Sequence, residues 1–243
     1  MSDSIVLVGL PGAGKKRFQR AFCQTFPQVT VESVGSKHCA DASLHLRSES
    51  QIWCVIDCRS PLLSTTAEAY LKTLLAESTA VVLSFVSEAE LSMQVYWQNW
   101  LKKNDSKQLP RKRWQGLELV DKTGWQSVSQ PVSLVSLKAI RQEQKPFQTH
   151  SMAFGDLSTS KRFHLEHLLM VLDAAKNNLA MDLWRVKGCL FTYDYDHPVA
   201  IEMTPSRCDV FAADSESDQA FLELLGPQFD QAWLDQAIGA CQL

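Results

Sequence analysis

Residues 9–16 of this 243-residue chain read Gly-Leu-Pro-Gly-Ala-Gly-Lys-Lys. Gly9, Gly14 and Lys15 satisfy the spacing G-x-x-x-x-G-K, with Gly12 inside it, and the stretch separates a short apolar run from an amphipathic segment. In that strand-loop-helix setting the pattern has a physical meaning. Glycines let the backbone turn its N–H groups inward around a phosphate, the helix start adds partial positive charge, and the lysine reaches the outer phosphates. The blander reading is a glycine turn that only packs the first helix on its sheet.

Position 16 limits what such a cradle can do. A hydrolytic loop of this kind carries a serine or threonine there, whose hydroxyl ligates the Mg²⁺ that bridges two phosphates. Lys16 has no acceptor to offer. Pointed inward, its ammonium replaces part of the metal's charge but not its geometry. Pointed outward with Arg17, it leaves an anion cradle one metal ligand short. Asp57, closing the apolar run 52–57, is the best candidate for a carboxylate that holds Mg²⁺ through water. The competing role is a strand-end aspartate bonded to loop backbone.

Other groups carry weaker signals. His38, Cys39 and His45 share a polar stretch at irregular spacing, and His164 and His167 stand i, i+3 on one helix face without a third ligand. Zinc is therefore not supported. The seven cysteines include no C-x-x-C pair and read as reduced thiols, with Cys54 and Cys58 as core packing. Arg111-Lys112-Arg113-Trp114 combines charge with an aromatic, but a net charge of −3 argues for a solvated loop or protein-facing surface over nucleic acid. Arg185 and Lys187 alternate along one strand face, Val120-Asp121-Lys122-Thr123 reads as a turn, and Trp53, Trp97, Trp100, Trp125, Trp184 and Trp233 as core or domain interface.

These residues need a scaffold. With 45% apolar and 21% charged residues the chain is globular in composition, and no apolar run reaches the length of a membrane helix. Residues 5–9, 52–57, 80–86 and 132–137 read as buried strands, with helices starting near Lys15, Thr65 and Ser87. That rhythm predicts an α/β unit, a mostly parallel sheet with helices on both faces. In the third helix Leu91, Val95 and Trp97 to Leu101 form the expected apolar stripe, and 102–116 reads as a surface connection. The rhythm changes after the polar stretch 141–146, which divides the chain into domains 1–143 and 147–243. The second is expected to be α+β: a strand over 148–154, a helix over 160–177, a hairpin of 183–193 and 198–204 about 194–197, strands at 208–213 and 221–226, and a closing helix capped by Asp230.

The second half resembles a known family. Residues 183–191, with Arg185-Val186-Lys187-Gly188, resemble the R-x-K-G strand in the C-terminal domain of the CobW family of P-loop GTPases, proteins associated with metal trafficking and cobalamin synthesis. Residues 149–172 and 221–243 are similar to that domain's opening and closing segments. The departures fall in the first half. The family's G-K-T or G-K-S becomes Gly14-Lys15-Lys16, its C-x-C-C metal motif is missing, and its guanine-reading N-K-x-D is replaced by Ser84-Phe85-Val86-Ser87. By family register the strand ending in Asp57 matches a later V-V-D strand, which implies a shortened or deleted switch and metal segment.

The resemblance implies a reduced P-loop GTPase-like domain that binds GTP or another nucleotide through Gly9, Gly12, Gly14, Lys15, Lys16 and Arg17, with Asp57 beside them. Mg²⁺ is doubtful, and little or no hydrolysis is expected. It implies an accessory role in metal homeostasis and a protein partner for the second domain; the scattered cysteines point to a cytoplasmic protein, and the hydropathy and net charge to one without membrane or nucleic acid. The alternatives are an active GTP-dependent metallochaperone and an interaction module with an empty loop.

Overall fold

The computed structural model describes residues 4–34, 51–115, 147–156, 161–213 and 219–242. It divides into two compact units, Met1–Lys145 and Pro146–Leu243.

In the first unit β1 (Ser4–Val8), β2 (Thr30–Ser33), β3 (Gln51–Asp57), β4 (Ala80–Ser84) and β5 (Arg111–Arg113) form one sheet in the order β2-β1-β3-β4-β5. Every pairing is parallel. The central strands are buried at successive positions, as a sheet covered on both faces requires. Ile5, Leu7, Trp53, Val55, Ala80 and Val82 pack with Phe18, Ala21 and Phe22 of α1 (Lys15–Thr25). The chain leaves β1 for β2 in one direction and runs from β3 to β4 and β5 in the other. Right-handed crossovers therefore put α1 on one face and α2 (Thr65–Glu77) and α3 (Leu91–Asn104) on the other.

Three expectations for this unit are corrected. The third helix starts at Leu91 and not near Ser87, because residues 85–89 form a turn whose Val86 and Ala89 carbonyls accept from the Gln94 amide. Leu91 and Val95 are 75% and 47% exposed and lie on the face roughly opposite buried Trp97, Trp100 and Leu101, so the stripe is narrower than expected. The basic stretch 102–116 is not all surface connection. Lys102–Asn104 end α3, and Arg111–Arg113 pair with Val81–Leu83 as β5. Alternation then turns Trp114 into the core, 5.2 Å from the Phe18 ring centroid and 5.7 Å from that of Phe85. The expected strand at 132–137, the turn at 120–123, Trp125, and His38, Cys39 and His45 lie outside the described residues.

The second unit is α+β. β6 (Gln148–Asp156), β7 (Arg185–Leu190), β8 (Val199–Thr204), β9 (Arg207–Ala212) and β10 (Gln219–Gly226) form an antiparallel sheet in the order β6-β10-β7-β8-β9. Leu168, Leu172 and Ala175 of α4 (Leu165–Asn177), with Leu234 and Ile238 of α5 (Gln231–Gly239), cover Val186, Leu190, Ile201, Met203, Leu222 and Leu224. The expected hairpin is β7 and β8, and the Asp230 carboxylate caps α5 by accepting from Trp233 N at 3.0 Å. The fourth helix is shorter than the expected 160–177. Phe163 is extended, bridging to Thr192 and Gln242, which delays the helix to Leu165.

Candidate anion-binding loop

The order β2-β1-β3-β4-β5 places a topological switch point between β1 and β3, where the chain departs in opposite directions. Open α/β sheets bind ligands beyond the carboxyl ends of the strands at such a point. The loop 9–14 leaves β1 there.

Two glycines fix its shape. Gly9 has φ 144°, and a Cβ on it would lie 2.3 Å from the Val55 carbonyl oxygen, so the loop runs hard against β3. Gly14 has φ 83°, and its Cβ would meet the Phe85 ring at 2.6 Å. Only a residue without a side chain satisfies both the torsion and the contact. Ser84, fully buried, ties the loop to the sheet, its Oγ lying 2.9 Å from Ala13 O and 3.0 Å from Ile56 O with one proton to share.

Gly14 is the N-cap of α1 and supplies no side-chain cap, and the first helical turn holds no acid. Lys15, Lys16 and Arg17 occupy that turn instead. Three cations at the positive end of a helix oppose its dipole, each by about 0.3–1 kcal/mol at low salt, and an anion reverses the sign. Lys15 folds over the loop and donates from Nζ to Gly9 O at 2.7 Å and Leu10 O at 2.9 Å. Lys16 and Arg17 are exposed.

Asp57 reaches the same sheet edge, but its carboxylate is engaged. Arg59 donates from its backbone N and from Nε to Oδ1 at 3.0 and 2.9 Å, and from a terminal nitrogen to Oδ2 at 2.7 Å. Its other terminal nitrogen donates to Glu88 Oε2 at 2.9 Å, and the guanidinium stacks 3.5 Å from the Phe85 ring centroid. Burial works against the Arg59 charge, but Asp57 and then Glu88 outweigh it and hold the pKa above the usual arginine value. An Mg²⁺ site does not fit these residues. The hydroxyl ligand is replaced by a lysine, and both carboxylate oxygens of Asp57 serve a guanidinium fork.

The structure thus gathers Gly9, Gly12, Gly14, Lys15, Lys16 and Arg17 in one loop and helix start, and assigns Asp57 to Arg59. Sequence reasoning missed Arg59 and Phe85, for no motif marks either. It also missed Glu32, whose Oε2 is buried and has no hydrogen-bond partner among the described residues. Because Val31 packs on the α1 side, alternation aims Glu32 at the other face of the sheet, away from α1. Cys54 and Cys58 are core thiols, both pushed up to about 12 by burial, with Lys15 drawing Cys54 slightly back and Asp57 adding to the rise at Cys58. In the second unit the His164 and His167 rings lie 5.0 Å apart and Arg185 reaches Glu202 at 3.5 Å. Among the described residues, no cluster of three or more His, Cys, Asp or Glu can hold a metal, and no helix is long and apolar enough to cross a membrane.

A G-x-x-x-x-G-K loop joining the first strand and helix of a parallel sheet defines a P-loop-type α/β unit, followed here by an α+β unit. Residues 155–242, most of the second unit, match the family described as the cobalamin synthesis protein cobW C-terminal domain. No curated protein matches the chain. Among solved structures, the Zn(II)-bound YjiA GTPase from E. coli is similar at 9% identity and TM-score 0.36 over 100% of both chains. A Zn(II)-bound triple mutant of YjiA gives 9% and 0.37 over 100% of both chains. A two-domain esterase active on acetylated mannans gives 10% and 0.26 over 95% of this chain and 87% of its own. At these scores none of the three bears on fold or function.

Proposed function

We propose that the chain is a CobW-like nucleotide-binding protein whose first unit grips phosphate without Mg²⁺-dependent hydrolysis. The carrying observation is the capture of both Asp57 oxygens by Arg59 beside a loop that bears Lys16 in the hydroxyl position. The glycine cradle, Lys15 and the cationic first turn support binding. The closed carboxylate and the missing hydroxyl argue against turnover, because phosphoryl transfer depends on metal-guided placement of the phosphate oxygens. The CobW-type second unit supports a cytoplasmic accessory role in metal homeostasis, exercised through a protein partner.

Titration of the full chain with GTP, GDP and ATP, with and without Mg²⁺, alongside a phosphate-release assay, tests this. Binding indifferent to Mg²⁺, without phosphate release and lost in Lys15→Ala, is the expected result. Magnesium-dependent GTP turnover abolished by Lys15→Ala would replace the proposal with an active GTP-dependent metallochaperone. No binding at millimolar nucleotide would leave a protein-interaction module.

A further inference from the structure

We infer that β9 is a docking edge for a second copy of this chain, which pairs its own β9 antiparallel to the first so that the two five-stranded sheets become one continuous sheet. The inference lies wholly in the second unit and is independent of the loop 9–14.

β9 is an outer strand, joined on one side to β8. Ala213 N donates to Pro198 O at 2.9 Å, in register with the ladder between the two strands. That bond sets the phase of the antiparallel pair. Asp209 and Phe211 turn their backbone N–H and C=O groups toward β8, and Cys208, Val210 and Ala212 turn theirs to the open side. Among the described residues no strand lies there.

The side chains at this edge are those of a sheet interior. Val210 pairs with Ile201 and Phe211 with Ala200, at the outer ends of two rows that are apolar across all five strands. Ile201 is fully buried, whereas Val210 and Phe211 are 36% and 49% exposed. A protected edge ends such rows in lysine, proline or a bulge. Residues 207–212 contain neither lysine nor proline, their ladder is unbroken, and their two charges lie against each other, Arg207 Nε 2.8 Å from Asp209 Oδ2. The opposite outer strand, β6, is blunted: its ladder shifts register between Gln219 and Phe221, and it carries Gly155 at φ 87°.

The strand's own sequence points to a second copy as the occupant. With Val210 opposite Val210 of the second copy, Cys208 faces Ala212 and Asp209 faces Phe211. The outward groups of 208, 210 and 212 then exchange about six backbone hydrogen bonds around a two-fold axis. Sliding one way sets Asp209 against Asp209 of the second copy, where like charges repel. Sliding the other way carries an outward pair past Ala212, the end of β9.

The experiment is sedimentation velocity of the full chain from about 1 to about 200 µM, with amide exchange followed by NMR at both ends of that range. A concentration-dependent equilibrium between monomer and dimer is expected. Exchange at Cys208, Val210 and Ala212 is expected to slow by about threefold or more at the high concentration, with Asp209 and Phe211 unchanged because β8 already holds them. Val210→Lys, at an exposed position, is expected to weaken association by about tenfold or more and to keep the wild-type circular dichroism spectrum, while Val210→Thr keeps the dimer. A monomer at every concentration overturns the inference, and so does a dimer that Val210→Lys leaves intact.

Discussion

Arg59→Met isolates the contact on which the exclusion of metal depends. The wild-type side chain forks onto Asp57 with Nε at 2.9 Å and a terminal nitrogen at 2.7 Å, reaches Glu88 at 2.9 Å and covers the Phe85 ring. The Arg59 and Asp57 side chains are 16% and 15% exposed, which places the pair between a surface bridge and a buried one. Removing one partner costs about 0–1 kcal/mol in the first case and about 3–5 in the second. We take about 2 kcal/mol for the pair and about 1 for the lost cation–π contact, with methionine keeping most of the apolar cover. A loss of about 2–3 kcal/mol lowers the urea midpoint of the first unit by about 1–1.5 M for an m-value near 2 kcal/mol/M. The folded pKa of Arg59 is raised above an already alkaline value, so its contribution is complete below the unfolded arginine pKa and fades only as pH climbs through the folded one. The deficit is thus expected to be the same at pH 6 and pH 9. Adding Lys16→Thr to Arg59→Met supplies a hydroxyl beside a released carboxylate, and nucleotide binding is expected to become Mg²⁺-dependent. An unmoved urea midpoint in the single variant, or Mg²⁺ indifference in the double, would refute the reasoning.

Gly14→Ala combines a left-handed φ of 83° with a Cβ 2.6 Å from the Phe85 ring, so we expect about 2–4 kcal/mol of destabilisation by thermal melting and loss of phosphate binding. Gly14→Ala with Phe85→Leu is expected to cost less than the sum of the single changes, and strict additivity would mean that the ring does not brace the loop. The Cys54 and Cys58 thiols, held near 12 when folded, ionise more readily in the unfolded chain. Stability is therefore full below the unfolded pKa of about 9 and falls as pH rises toward 12, by roughly 1 kcal/mol per thiol at pH 10. Urea melts at pH 8 and pH 10 are expected to show this fall, and an equal fall in the Cys54→Ala, Cys58→Ala variant would assign it to other groups.

Much of the scaffold was legible because it rests on local rules. Residues 5–8 and 52–56 are apolar at both parities and became strands buried on both faces, while Asp230 advertised its helix by type and position alone. Elements decided by tertiary context escaped. Thr30–Ser33 has one buried residue, Val31, and is a strand because β1 is there to pair with it. Arg111–Arg113 reads as solvated loop until Trp114 is seen packed against Phe18. Leu91 and Val95 satisfied a helical period but belonged to the outer face, a matter of helix rotation that periodicity alone does not settle. At the site, the glycines and lysines announced themselves by spacing. Arg59 did not, because a guanidinium two residues beyond a strand-end aspartate has no signature until the turn of the chain brings the two together.

The three-residue β5 leaves Arg111 and Arg113 exposed on the last strand of the first sheet among the described residues. An outermost strand invites foreign backbone to extend the ladder, and short length and like charge both discourage it. The basic run read in the sequence as a solvated loop or protein-facing surface thus carries, on a short strand, two features that discourage such pairing. Neutralising both arginines is expected to show first as a shorter shelf life at high concentration, well before any change in ligand affinity.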